Sequence, residues 1–155
     1  MAELNDDFLD MIHLLLDHEV EFMVIGAYAL SMHGHVRATE DIDFWVRPSA
    51  ANAQRIVAAL NDFGAPLTSH GISTADFEVS DTVYQMGLPP RRIDLLTSVS
   101  GVSFDAAFAS SVEGELGGYR VRFIGRESPL ANKRATGRAK DLADVDALEA
   151  LGERF

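Results

Sequence analysis

The chain has 155 residues, no cysteine, and 13 Lys plus Arg against 24 Asp plus Glu, a formal net charge of −11. A chain of about 150 residues buries roughly 70% of the surface its unfolded form exposes, and 47% hydrophobic residues supply one core, so global disorder, a disulfide framework, a thiolate metal site and a cysteine nucleophile are excluded. No apolar run approaches the ~20 residues of a membrane span, the N-terminus MAELNDDF has acids where a signal peptide has bases, and the charge opposes bulk nucleic-acid binding. The expectation is a soluble, cytoplasmic chain forming one domain over residues 1–155.

In chain order, Phe8, Met11, Ile12, Leu15 and Leu16 recur at helical spacing behind Asn5 as N-cap, with Asp6 and Asp7 in the first turn. Phe22 to Ile25 reads as a short strand closed by Gly26, and Ala27 to Met32 as a short helix ending near His33 and Gly34. Asp41 to Val46 alternates like a half-buried strand and stops at Arg47-Pro48. Ile56, Val57, Leu60 and Phe63 form the apolar face of a helix that ends at Gly64, which establishes a strand and helix alternation. Residues 65 to 82, rich in Thr, Ser, Gly and His, read as a loop or an edge hairpin. Val83 to Met86 and Ile93 to Leu96 form a hairpin around Gly87-Leu88-Pro89-Pro90-Arg91. A short helix over Phe104 to Phe108 and a strand over Tyr119 to Ile124 follow, the latter with Tyr119, Val121 and Phe123 on one face. Ser128-Pro129 opens a helical tail over about 127–155 whose apolar face is Leu142, Val145 and Leu148, divided at Gly137. The fold class expected is α/β (α+β), a mixed sheet flanked by helices.

Successive strand side chains point to opposite faces, so Asp41 and Asp43 share one face while Ile42, Phe44 and Val46 share the other. Two like charges about 7 Å apart beside an apolar core are unfavourable without a cation between them, and a hard divalent ion fills that role best. Asp94, in Arg92-Ile93-Asp94-Leu95-Leu96, lies on a separate strand that would bring it level with Asp43 if the two pair. Three acids around one or two Mg²⁺ ions make a phosphoryl-transfer site; three surface acids of an acidic protein are the alternative. Ile25-Gly26-Ala27 adds a strand-to-helix turn whose backbone N–H groups suit a phosphate. Arg37 is placed either to reach a phosphate or to neutralise Glu40 or Asp41, and Trp45, on the carboxylate face, either to stack on a base or to cover the sheet edge. His33 and His35 read as structural, because imidazole is softer than Mg²⁺ prefers. Thr39 reads as a brace at the strand entry, and Lys140 with Asp144 as a helix pair.

Val24-Ile25-Gly26-Ala27-Tyr28-Ala29-Leu30, His33-Gly34 and Arg37-Ala38-Thr39-Glu40-Asp41-Ile42-Asp43 resemble the minimal nucleotidyltransferases of the DNA polymerase beta superfamily, nearest the group related to AbiEii-type toxins. The segment from Lys133 to Asp144, with Lys-Asp-Leu-x-Asp at its end, resembles the same group. The resemblance covers residues 22 to 46, 91 to 97 and 130 to 148. It implies a nucleotidyltransferase fold in which Asp41, Asp43 and Asp94 hold two Mg²⁺ ions, with Mn²⁺ as a substitute. The Gly26-Ala27 turn would then hold the phosphates of an NTP donor, ATP among them, with Arg37, Lys133 and Arg138 as candidate cations for it; Lys133 and Arg138 are alternatively solvated surface residues or partners of Glu127 and Asp141. An NMP would pass to an acceptor with release of pyrophosphate, the acceptor being a small hydroxylated molecule such as an antibiotic, a protein side chain or a tRNA 3′ end. Ala27 departs from the family's Gly or Ser, which removes a hydroxyl and keeps the backbone donor. A different class of reading is a catalytically weak module of the same fold that acts by binding, as the antidote half of a toxin–antitoxin pair. A third is an acidic domain that dimerises through the Phe8 to Leu16 helix and binds no nucleotide; an oligomer is compatible with the first two readings also.

Overall fold

A computed structural model describes residues 5–26, 28–29, 41–88, 91–99 and 102–125. In chain order these form α1 (Asp6–Asp17), β1 (Phe22–Ile25), β2 (Asp41–Val46), α2 (Ala50–Phe63), α3 (Leu67–His70), α4 (Thr74–Glu78), β3 (Val83–Met86), β4 (Arg92–Leu96), α5 (Phe104–Ala109), β5 (Val112–Leu116) and β6 (Tyr119–Phe123). The strands make one mixed six-stranded sheet in the order β3-β4-β2-β1-β6-β5. β2 runs parallel to β4 and β1 parallel to β6, while β1–β2, β3–β4 and β5–β6 are antiparallel.

Side chains directly opposite one another share a face. Phe44, Leu95 and Tyr84 are thus aligned on one side of the sheet, and Phe77 of α4 meets Tyr84 edge-on at 6.3 Å, which puts the helical layer there. α2 packs against both α1 and α4 in that layer. Asn5 caps α1, its side chain accepting from Phe8 N at 2.9 Å, and Phe8, Met11, Ile12 and Leu15 are buried while Leu16 is 36% exposed. Ser49 caps α2, and Gly64 closes it at φ +94°, a conformation open to glycine at little cost. Asn52, 1% exposed, ties α2 to the sheet: its Oδ1 accepts from Glu21 N at 2.8 Å and its Nδ2 donates to the Glu21 and Arg47 carbonyls at 3.1 and 3.0 Å.

Two segments differ from the sequence expectation. Residues 65–82 hold two short helices rather than a loop or an edge hairpin: Gly71 ends α3 in the left-handed region, and Ser73 N donates to the Asp76 carboxylate at the start of α4. β5, which the sequence pattern does not announce, pairs along its length with β6 through the Gly117-Gly118 turn. No described helix is long and apolar enough to cross a membrane. The tail at 127–155, with Leu142, Val145 and Leu148, lies outside the described residues.

Candidate functional site

The face opposite the helical layer carries the acids. β1 ends at Gly26, whose φ of +73° turns the chain and whose lack of a side chain is doubly used: a Cβ there would overlap the Asp43 carboxylate. The antiparallel register pairs Ile25 with Asp43, which brings the turn level with β2's second acid. The parallel register then pairs Asp41 with Arg92 and Asp43 with Asp94. Asp41, Asp43 and Asp94 converge as a result, each offering a carboxylate oxygen within 4.8 Å of the others.

Such a cluster needs positive charge, and Arg92 supplies part of it. Its Nη2 donates to Asp41 Oδ2 at 2.8 Å and to Asp94 Oδ2 at 3.4 Å, and its Nε lies 3.4 Å from Asp94 Oδ1. That last separation is an ion pair with no hydrogen bond, so Asp94, 6% exposed, keeps Oδ1 buried without a hydrogen-bond partner. The charge of Asp94, then that of Asp41, holds the Arg92 guanidinium more firmly protonated than usual. Burial, a side-chain hydrogen bond to Asp94 and the charges of Asp41 and Asp94 push the Asp43 carboxyl up to about 8, against which Arg92 pulls only weakly. These causes all favour the protonated form of Asp43, with Asp94 beside it as the hydrogen-bond partner. Tyr28, packed edge-on against Phe8 at 6.0 Å, has its hydroxyl pKa raised by burial and by the Asp41 charge.

An all-oxygen donor set of three carboxylates, one with a buried oxygen lacking a hydrogen-bond partner, fits a hard divalent cation such as Mg²⁺ or Mn²⁺. A cation there would replace the proton of Asp43 and complete the neutralisation that Arg92 begins.

Of the residues singled out from sequence, Gly26, Asp41, Asp43 and Asp94 are brought together. Ala27, Arg37, Lys133 and Arg138 lie outside the described residues, as do His33, His35, Thr39, Lys140 and Asp144. Trp45 does neither of the two things expected of it. β2 is an interior strand, and Trp45 is buried at 1% exposure, with Phe104 of α5 packed edge-on at 5.4 Å. Arg92 escaped the sequence reading although its signal was present: it stands two residues before Asp94 on the same strand, hence on the same face.

The chain matches no family model and no curated protein. Among solved structures it is similar to a lincosamide antibiotic adenylyltransferase, LnuA, in its lincomycin-bound crystal structure. The likeness covers 96% of this chain and 98% of that one, at 13% identity and a TM-score of 0.47. A likeness of that depth leaves the functional reading to the side chains themselves.

Proposed function

We propose that this chain is a divalent-cation-dependent nucleotidyltransferase, moving a nucleoside monophosphate from an NTP to an acceptor hydroxyl with release of pyrophosphate. The observation that carries the reading is the convergence of Asp41, Asp43 and Asp94 beside the Gly26 turn. When bound, Mg²⁺ offsets phosphate charge and lowers the pKa of a hydroxyl in contact with it. Asp41, Asp43 and Asp94 hold the metal. The turn after β1 presents backbone N–H groups to the triphosphate, with Ala27, Arg37, Lys133 and Arg138 as proposed nucleotide contacts. In the transfer, the acceptor oxygen bonds to the α phosphorus, the bond from that phosphorus to the β-phosphate oxygen breaks, and the acceptor's proton passes to Asp94. Arg92 orients Asp41 and Asp94 for these roles. The AbiEii-type grouping, ATP as a donor, the cytoplasmic location and a role in a toxin–antitoxin pair rest on the sequence motifs and composition alone.

Incubation with NTPs labelled at the α or the γ phosphate, in Mg²⁺ or Mn²⁺, tests the reading against three acceptor classes: amino sugars and related small molecules, protein including the chain itself, and tRNA. The expected result is α label on one acceptor and γ label only in pyrophosphate, both abolished by Asp43→Asn. Transfer of the γ label instead, or no transfer to any of the three, overturns it. Lys133→Ala is expected to weaken NTP binding by about 1–3 kcal/mol, the range for losing a charged hydrogen bond.

A further inference from the structure

The two edges of the sheet differ in a way that the nucleotide site does not explain. β5 is guarded by charge: Glu113 and Glu115 stand on it, opposite Arg122 and Arg120 of β6. Charged side chains on an edge strand oppose pairing with another chain. β3, at the other edge, has no such guard. From Thr82 to Leu88 no residue carries a charge, Val83 is 54% exposed, Leu88 80%, and Val79, just before the strand, 56%. In a chain of net charge −11 an uncharged strip lets like-charged copies approach with little repulsion. Its flanks are of opposite sign, with Glu78 and Asp81 before it and, after it, Arg91, which is half exposed and whose Nη1 lies 3.4 Å from Asp7 Oδ2 of α1.

We infer that β3 is the surface through which two copies of this chain pair, antiparallel about a two-fold axis, into one continuous twelve-stranded sheet. Antiparallel pairing of identical edges is self-complementary: the outward N–H and C=O groups of each strand, unpaired among the described residues, meet their counterparts. It also sets the acidic flank of each copy against Arg91 of the other, twice, whereas parallel pairing would set like against like. Both acid clusters would then lie on the same face of the joined sheet. This inference stands apart from the nucleotidyltransferase reading, since it uses none of the site's residues.

Sedimentation velocity of the full chain across the micromolar range, with Val83→Glu/Leu88→Glu beside it, is the first test. In an antiparallel pair residue 83 of one copy falls near residue 88 of the other, so the double variant sets like charges together. A dimer weakened at least tenfold by that variant, with an unchanged far-ultraviolet circular dichroism spectrum, is expected; Val112→Glu on the β5 edge and Leu16→Glu on α1 are expected to leave it intact. A monomeric parent, a double variant that dimerises as well as the parent, or disruption by either control overturns the inference. Because the chain has no cysteine, single spin labels placed through Val83→Cys or Val112→Cys give an independent reading. At about 4.8 Å per strand and 3.4 Å per residue, label pairs at 83 are expected about 10–20 Å apart and pairs at 112 about 50 Å apart. The reverse order, or no distance below about 30 Å at residue 83, also overturns it.

Discussion

Asp43→Asn isolates the electrostatic cost of the acid cluster. The asparagine keeps the shape of the side chain and a hydrogen bond to Asp94 while removing the capacity to ionise. In the folded chain the Asp43 carboxyl titrates at about 8, against 3.8 when unstructured. The folded state therefore retains a proton that the unfolded state loses as pH rises above about 4, and folding is progressively disfavoured until pH passes about 8. At about 1.4 kcal/mol per pH unit the ceiling of this cost is roughly 6 kcal/mol. Water reaching a half-buried carboxyl and local relaxation reduce the expected effect to about 1–3 kcal/mol. Thermal unfolding followed by circular dichroism in a chelator is the assay. At about pH 3, where both states still hold the proton, the two proteins are expected to melt together; at pH 9 the variant is expected to melt about 3–10 °C higher, at roughly 2–4 °C per kcal/mol for a chain of this size. Mg-ATP should raise the parent's melting point and leave the variant's unmoved. A variant less stable than the parent at pH 9, or a parent whose stability does not fall between pH 5 and pH 9, refutes the reasoning.

Four further substitutions separate the cluster from its supports. Gly26→Ala combines a left-handed backbone with overlap against Asp43, and is expected to cost about 2–3 kcal/mol in urea unfolding. Gly64→Ala, with nothing near its Cβ position, is expected to cost only about 1 kcal/mol. Arg92→Met leaves the three acids without their internal cation; because the Arg92–Asp41 pair is about one-third exposed, a loss of about 1–2 kcal/mol is expected in chelator, with a larger Mg²⁺-induced rise in melting temperature than the parent shows. Asn52→Ala unpairs two carbonyls and one backbone N–H that anchor α2, and a loss of about 2–4 kcal/mol by urea unfolding is expected, with cation affinity unchanged.

The legible parts of the fold were those with a repeating chemical signal. Alternation from Asp41 to Val46 placed two acids on one face, and the apolar stripe from Phe8 to Leu15 with its Asn5 cap marked α1. Gly26 was legible as a turn, but that its missing side chain also makes room for Asp43 depends on the register of β1 against β2, a long-range property. Asp94's alignment with Asp43 likewise depended on β2 and β4 being neighbours although β3 comes between them in the chain. β5 was hidden because Val112-Glu113-Gly114-Glu115-Leu116 has a glycine at its centre and acids on the open face, so it lacks strand composition and is held by pairing with β6. The helices α3 and α4 are four and five residues long, too short for periodicity; only Gly71 and the Ser73–Asp76 cap signalled them. Trp45 was assigned to the open face, yet whether that face is covered at residue 45 is decided by where α5 packs, and Phe104 covers it.

Binding of Mn²⁺, followed by the loss of its free-ion electron paramagnetic signal, tests the central claim most directly, because it needs neither the acceptor nor the donor to be known. Titrated at pH 8, the parent is expected to take up one or two ions saturably, releasing protons as Asp43 gives up its own, and to bind more tightly with ATP present. Asp41→Asn, Asp43→Asn and Asp94→Asn are each expected to abolish this uptake while leaving the chain folded. Uptake by all three variants equal to the parent's would contradict the account, since the ion would then bind elsewhere and the converging carboxylates would be only an acidic surface held together by Arg92.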